Sequence, residues 1–214
     1  PDWADRDRFI LSKGHASPAI YACLAEAGYF EKEELKHFRE IDSLLQGHPS
    51  PKIPGVETAT GSLGLGLSVA NGMGWAAELD KKDYHTFVVM GDGELQEGQC
   101  WESIMSTPYF GLNNVTLIID RNGLQNDGWV KETKALEPLD KKFESFGWEV
   151  LKINGHDFDE ILPALKKARG SNKSVCIIAK TIKGKGVKFI ENDPEMHGKA
   201  LSKEELVKAL EVLE

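Results

Sequence analysis

Residues 84–93 read YHTFVVMGDG, and this stretch determines how the rest of the chain is interpreted. Its first seven residues are mostly apolar, aromatic or β-branched, which is typical of a buried strand. The strand ends in Gly91, Asp92 and Gly93. Glycines on either side of an aspartate let the backbone turn sharply and let a ligand come close. The stretch therefore predicts a strand with a carboxylate at its carboxyl end.

Strands and helices alternate along the chain on both sides of this stretch. We predict further strands at 115–120, 148–153 and 174–181, and helices at 18–27, 32–38, 64–79, 94–110, 140–146 and 157–168, with a last helix from Ser202 to about Leu213. Asp157 with Glu160, and Ser202 with Glu205, have the spacing of a capping box. The alternation predicts right-handed βαβ units and a mostly parallel sheet with helices on both faces, one three-layer α/β/α domain over residues 1–214.

Composition and charge narrow the class of protein. The 214 residues are 41% hydrophobic and 28% charged, as in a globular chain with a core, and the net charge of −8 argues against nucleic acid or an anionic membrane as the main partner. Three cysteines without a CxxC pair argue against zinc ribbons and disulfide scaffolds. The sequence has no apolar run of the roughly 18–20 residues that span a bilayer and no signal-peptide pattern, so we expect a cytoplasmic protein.

Two polar positions follow neighbouring strands of the predicted sheet. Asp92 and Asn122 are 30 residues apart, about the length of one βαβ crossover, so they should lie side by side at the edge where ligands bind. A carboxylate, an amide oxygen and a loop carbonyl are hard ligands that suit Mg²⁺ or Ca²⁺ better than zinc, and Mg²⁺ completes its shell with phosphate oxygens. The pattern favours a metal-bridged diphosphate, although each motif alone is also typical of an ordinary turn.

A Gly-Asp-Gly turn followed 30 residues later by an Asn-led loop resembles the thiamine diphosphate motif, and other segments extend the resemblance to the N-terminal, diphosphate-binding region of transketolase. These segments are LSKGHASPAIYACLAEAGYF at 11–30, GHP at 47–49, TGSLGLGLSVANGMG at 60–74, GDGELQEGQCWE at 91–102, KTIKGKGV at 180–187 and MHGKAL at 196–201. The match covers nearly the whole chain, and its ordered set of motifs is specific although each motif alone is weak.

The resemblance implies a cofactor and a metal. Asp92, Asn122 and the backbone carbonyl of Leu124 match the family's ligands for Mg²⁺, with oxygens of thiamine diphosphate completing the shell. Gly91 and Gly93 match the glycines under the diphosphate. The expected cofactors are therefore thiamine diphosphate and Mg²⁺.

Further cofactor-binding positions follow from the same resemblance. In the GSLG segment, Gly61, Ser62 and Leu63 match residues against the central part of the cofactor. Lys13 and Lys183 match basic residues near the diphosphate, whose negative charge they would offset.

Two glutamates that follow the Gly-Asp-Gly turn also match family positions. Glu97 and Glu102 match acidic residues of a network between the two active sites of a dimer, and we count Glu97 among the cofactor-binding residues.

Three histidines are the expected catalytic residues. His15, next to Lys13, and His197, in MHGK, match positions near the cofactor and the bound sugar, and His48 matches a histidine at the reactive end of the thiazolium. With an unperturbed pKa of about 6.5, histidine can donate or accept a proton near neutral pH, as ketol transfer requires.

The remaining histidines have simpler interpretations. We predict that His37 lies on a solvated helix face, that His85 is structural, and that His156 caps a helix.

Parts of the family pattern are absent from this sequence. A full transketolase has a histidine-containing segment upstream and a second domain that binds the aminopyrimidine ring and supplies the activating glutamate. Because the sequence starts at Pro1 and not at methionine, we expect it to begin within a longer chain. We expect a pyrimidine-binding partner subunit to complete the active site, in a hetero-oligomer with at least two copies of each subunit, and little activity without it.

The expected reaction transfers a two-carbon ketol unit from a ketose phosphate to an aldose phosphate. Other thiamine diphosphate enzymes, of the 1-deoxyxylulose 5-phosphate synthase or 2-oxoacid dehydrogenase kind, remain alternatives that the three histidines disfavour. A non-catalytic cofactor-binding module that has lost its partner is the alternative from another class.

Overall fold

A computed structural model describes residues 3–213. Pro1, on which the expectation of a longer chain depends, lies outside this range. The strands are β1 Arg8–Leu11, β2 Thr86–Gly91, β3 Val115–Arg121, β4 Leu124–Gln125, β5 Gly128–Trp129, β6 Glu149–Asn154 and β7 Val175–Lys180. The α-helices are α1 Ser17–Glu26, α2 Gly66–Leu79, α3 Gly98–Tyr109, α4 Val130–Thr133, α5 Leu139–Ser145, α6 Phe158–Arg169 and α7 Lys203–Glu211, and 3₁₀ helices form at Gly14–Ala16, Lys32–His37, Gly93–Gln96 and Pro194–Met196.

Five strands form one parallel sheet in the order β1-β2-β3-β7-β6. β4 and β5 form a separate antiparallel pair. β1, β2 and β3 lie side by side in chain order. The next strand of the sheet, β6, lies at the far edge, and β7 then lies between β3 and β6. Since parallel crossovers are right-handed, this reversal puts the connecting helices on opposite faces. Sheets of this kind bind ligands at the carboxyl ends of their strands.

Side chains alternate between the two faces of the central strands. On β3, Leu117 and Ile119 pack into a core that includes residues of α2, α3 and α5, whereas Ile118 packs toward α6 on the other face. On β2, Val89 packs with the residues of α1. The three-layer α/β/α prediction is therefore confirmed.

Most predicted elements form within one or two residues of their expected bounds. β4, β5 and α4 lie where no element was predicted, and three other local predictions are wrong or incomplete. β1 was not predicted, because its four residues, RFIL, are too short for a periodicity to emerge. The predicted 32–38 helix is a 3₁₀ helix. The predicted 94–110 helix is interrupted at Glu97, whose extended backbone separates a 3₁₀ turn from α3.

The two predicted capping boxes have different outcomes. Ser202 and Glu205 form one at the start of α7. Asp157 does cap α6, accepting the Asp159 amide at 2.9 Å, but Glu160 accepts the backbone amide of Asn154 at 2.8 Å and so closes no box. Its carboxylate satisfies the end of β6 instead.

The three histidines outside the expected site have distinct environments. His37 is exposed beside Glu40, and His85 is buried with Nε2 2.7 Å from Thr116 Oγ1, as predicted. The capping prediction for His156 is wrong, because its Nε2 accepts the backbone amide of Ile182 at 2.7 Å.

The cysteines Cys23, Cys100 and Cys176 are free thiols, the last two buried. Within residues 3–213, the structure contains no helix with the length and apolarity needed to cross a membrane.

Candidate functional site

The carboxyl ends of β2, β3 and β7 meet at one edge of the sheet. Gly91 pairs with Asp120 in register, and the Thr181 amide after β7 donates to the Arg121 carbonyl at 3.3 Å. The turn after β2 and the loop after β3 are therefore neighbours, as the 30-residue spacing predicts.

Asp92 is the buried carboxylate at the centre of this edge, with 1% of its surface exposed. Its Oδ1 accepts the Gly93 amide at 2.8 Å, and its Oδ2 accepts the Gly123 amide at 2.7 Å and Arg121 Nη1 at 2.9 Å. Burial raises the pKa of Asp92, although the Gly123 amide and Arg121 oppose this effect. The arrangement holds a carboxylate rigidly where a ligand would arrive.

The loop from Asn122 to Leu124 lies against Asp92. Asn122 Oδ1 accepts the Leu124 amide at 2.9 Å, while its Nδ2 donates to Asp120 Oδ2 at 3.2 Å. An amide oxygen has two lone pairs, so Asn122 Oδ1 keeps one for a cation. In residues 3–213 no three His, Cys, Asp or Glu side chains form a metal cluster. A site here would consist of one carboxylate, one amide and one carbonyl, a hard oxygen set that fits Mg²⁺.

Lys13 connects the end of β1 to the end of β3. Its ammonium forms an ion pair with Asp120 Oδ2, and Asp120 Oδ1 accepts the Thr181 hydroxyl. Burial alone would raise the pKa of Asp120, but the Lys13 ammonium and these hydrogen bonds outweigh it and lower that pKa. Lys13 thus places a positive charge beside Asp120 at this edge of the sheet.

Basic side chains from separate segments lie together at this edge of the sheet. The rings of His15 and His197 are 5.4 Å apart between centroids. Burial, followed by the charges of Lys183, His15 and Lys13, lowers the pKa of His197 to about 4. Burial also lowers the pKa of His15, followed by Lys13, Lys183 and His48. The mutual effects show that all five predicted basic residues share one electrostatic environment.

Two of these basic groups lack partners among the described residues. The Nδ1 atom of His197 is buried and has no hydrogen-bond partner in that range. Lys183, half-buried, forms no ion pair with any residue from 3 to 213, and burial followed by the Lys13 charge lowers its pKa. An ammonium without an ion pair beside an imidazole nitrogen without a hydrogen-bond partner is complementary to an anion such as a diphosphate.

The predicted glycine segment lies beside the basic cluster. Gly61 has φ of +154°, and a Cβ there would be 2.9 Å from His48 Cδ2, which shows how closely His48 approaches this backbone. Ser62 is exposed and Leu63 is half-buried. The structure therefore places Gly61 beside His48, and the roles of Ser62 and Leu63 stay predictions.

The two predicted glutamates lie further along the chain. Glu97 is exposed, and its Cβ would be 3.0 Å from a Cβ added to Gly64. Glu102 is exposed on α3. Neither forms an ion pair within residues 3–213.

Several residues that shape this edge were not predicted from the sequence. Glu94 is buried, and its carboxylate accepts the Ser12 hydroxyl, the Gly64 amide at 2.9 Å and the Gly91 amide at 3.1 Å. Arg121, Asp120 and Thr181 were missed as well. The position of Glu94 directly after the Gly-Asp-Gly turn was the one available signal, because Ser12 and Gly64 are far away in the sequence.

Known proteins are similar to this chain over nearly its whole length. Residues 1–213 match the family described as transketolase, thiamine diphosphate binding domain. An apulose-4-phosphate transketolase subunit from Phocaeicola vulgatus is 41% identical over 198 residues, which are 92% of this chain and 70% of that protein. The 6-deoxy-6-sulfo-D-fructose transketolase subunit SqwG of a Clostridium species is 41% identical over 206 residues, 95% of this chain and 75% of that protein.

The chain spans about a third of full-length transketolases. Human transketolase is 40% identical over 198 residues, 92% of this chain and 32% of that protein. The crystal structure of Campylobacter jejuni transketolase superposes with a TM-score of 0.92 at 40% identity, over 97% of this chain and 34% of that one. By sequence and by fold, the chain belongs to the thiamine diphosphate-binding domain family of the transketolases.

Proposed function

We propose that the chain is the diphosphate-binding subunit of a split transketolase, which transfers a two-carbon ketol unit from a ketose phosphate to an aldose phosphate. The observation that carries the proposal is the combination, at one sheet edge, of the buried Asp92 carboxylate with five basic side chains. Two relatives, of which the aligned residues are 70% and 75%, are named as transketolase subunits, which supports the split arrangement.

The residues at this edge suit Mg²⁺ and a diphosphate. Asp92, Asn122 and the Leu124 carbonyl would hold the cation. Lys13 and Lys183 would bind and orient the diphosphate, since their ammonium groups lie near Asp92 and Asp120 and add positive charge where the phosphates would arrive. When bound, thiamine diphosphate supplies the nucleophilic carbon and the electron sink for ketol transfer.

The histidines would manage the protons of the sugar hydroxyls. Because the pKa of His197 is lowered to about 4, its ring is neutral near pH 7 and can accept a proton at one nitrogen and donate from the other. His15, 5.4 Å away between ring centroids, would act on the same substrate. His48 is exposed and would face the reactive end of the cofactor.

A pyrimidine-binding partner subunit would complete the active site. The family's activating glutamate acts through the aminopyrimidine ring, and the resemblance supplies no residue for that role in this chain. We propose an assembly with at least two copies of each subunit, in which Glu97 and Glu102 are exposed and free to join a network between sites. A cytoplasmic location is part of this proposal.

The test combines cofactor binding with a transfer assay. We expect Mg²⁺-dependent binding of thiamine diphosphate by calorimetry, and its loss in Asp92→Asn but not in Asp159→Asn, an exposed aspartate of α6. With a pyrimidine-binding partner, xylulose 5-phosphate should serve as donor and pyruvate should not. Apulose 4-phosphate and 6-deoxy-6-sulfo-D-fructose belong in the same panel, because relatives are named for them.

Three results would contradict parts of this proposal. Cofactor binding unchanged in Asp92→Asn would exclude the metal site. Transfer with pyruvate alone would favour the other thiamine diphosphate enzymes. Full activity of the isolated chain would exclude the need for a partner, and cofactor binding without activity in any pairing would favour a non-catalytic module.

A further inference from the structure

Arg121 connects two carboxylates at the end of β3. Its Nη1 donates to Asp92 Oδ2 at 2.9 Å, while Nε and Nη2 donate to Glu137 Oε1 at 3.0 and 2.6 Å. The arginine side chain is 22% exposed, Asp92 is 1% exposed and Glu137 is 58% exposed. One guanidinium therefore lies between a buried anion and a solvated one.

This position conflicts with the proposed metal site. A divalent cation on Asp92 would lie within a few ångströms of the guanidinium, because Arg121 and the Gly123 amide already occupy Oδ2 of the same carboxylate. Charges of the same sign repel strongly at such distances in a partly buried site. The cation and the guanidinium therefore compete for the same carboxylate.

Glu137 provides a second carboxylate partner for the Arg121 guanidinium. Its Oε2 accepts the Leu139 amide at 2.8 Å, so the carboxylate is anchored at the start of α5. Arg121 already directs two of its three nitrogens to this anchored group. Loss of the contact with Asp92 would leave the guanidinium paired and near its present position.

We infer that Arg121 is a built-in competitor of the divalent cation at Asp92, and that Glu137 retains the guanidinium when the cation binds. In the absence of metal, Arg121 neutralises a carboxylate that would otherwise be buried without a cation. The inference concerns metal affinity at this edge and rests on the metal site of the proposed function.

The test measures cation affinity directly and not through activity. Mn²⁺ is titrated at pH 8 into the chain with saturating thiamine diphosphate, free Mn²⁺ is followed by its electron paramagnetic resonance signal, and the same titration without protein is subtracted. We expect Arg121→Gln to lower the apparent Kd for Mn²⁺ about tenfold, the size of a typical coupling between charged sites.

A substitution of Glu137 and a control substitution test whether Glu137 retains the guanidinium. In Glu137→Gln the guanidinium has only Asp92, so the apparent Kd should rise about threefold, and the double variant should behave like Arg121→Gln alone. Arg169→Gln removes an arginine that pairs with Asp7 and Asp83 away from the site, so its Kd should not change. Thermal unfolding without ligand verifies that each variant is folded.

The possible results distinguish an error in the metal site from an error in the proposed competition. If the unaltered chain binds no more Mn²⁺ than the blank, the metal site is wrong and the inference falls with it. If the chain binds Mn²⁺ but Arg121→Gln binds it equally or more weakly, the metal site stands and the competition is refuted. Tightening in Arg121→Gln together with weakening in Glu137→Gln supports the inference.

Discussion

Glu94 should be essential for stability although it was not predicted as a site residue. It is 3% exposed, and its single carboxylate joins Ser12, Gly64 and Gly91, three positions that border the cofactor edge from separate segments. Replacing Glu94 with alanine removes the acceptor for all three donors.

The magnitude follows from those donors. Two backbone amides would be left buried without partners, at about 1–3 kcal/mol each. Removal of a buried charge returns part of this cost. The Ser12 hydroxyl still accepts the Gly66 amide at 3.2 Å, but its own proton loses the Glu94 acceptor, which adds to the cost. We expect a net loss of about 3 kcal/mol, which lowers Tm by about 6–12 °C in a chain of this length.

A graded series tests this reasoning. Glu94→Gln keeps one acceptor oxygen but turns an amide nitrogen toward the Gly91 amide, so we expect about half the loss, roughly 1–2 kcal/mol. Glu97→Ala removes an exposed carboxylate three residues away and should change stability by less than about 0.5 kcal/mol. Urea unfolding gives the free energies, and hydrogen exchange should accelerate at Gly64 and Gly91. Equal stability of Glu94→Ala and Glu97→Ala would refute the argument.

Two further predictions concern buried basic groups. Burial lowers the pKa of His85 to about 4, whereas its pKa in the unfolded chain is about 6.5. As pH falls, His85 is therefore protonated in the unfolded chain before it is protonated in the folded chain. The contribution of His85 to stability is complete above about pH 6.5 and decreases by about 3 kcal/mol toward pH 4. His85→Gln should remove this share of the pH dependence in urea unfolding and leave the share of His197, whose pKa is also about 4; an identical profile in the variant would contradict the assignment to His85. Lys183→Met should weaken thiamine diphosphate binding about tenfold in calorimetry, because a charged hydrogen bond contributes about 1.5–3 kcal/mol. Lys185→Met, which alters a lysine beside Glu191 on the same loop, should leave binding unchanged. Equal effects of the two substitutions would exclude a specific role for Lys183.

Local sequence patterns were sufficient for most of the fold. β-Branched runs such as VTLIID at 115–120 are strands because their side chains pack on both faces of a covered sheet. The break at Glu97 was not predictable, because Glu94 just before it turns inward to the Ser12 hydroxyl and the Gly64 amide on two other segments. Likewise, Glu160 has the spacing of a capping box but binds the end of β6, a tertiary contact that spacing does not encode.

The candidate site likewise has a part that could be predicted from the sequence and a part that could not. Asp92 and Asn122 were predicted as neighbours because crossover length fixes which strand ends meet. The pairing of Lys13 with Asp120 joins residues 107 positions apart, and that of Arg121 with Glu137 depends on the path of the loop before α5. Such contacts follow from the assembled sheet and leave no periodic trace in the sequence.

The link from Lys13 through Asp120 to Thr181 has a consequence for the energetics of recognition. It connects the ends of β1, β3 and β7 without any ligand, so the groups beneath the cofactor have already lost their rotational freedom on folding. Ordering a long side chain at an interface costs about 0.5–1.5 kcal/mol, and here that cost does not recur on binding. The entropic penalty of binding a ligand at this edge would therefore fall on the exposed side chains, such as His48.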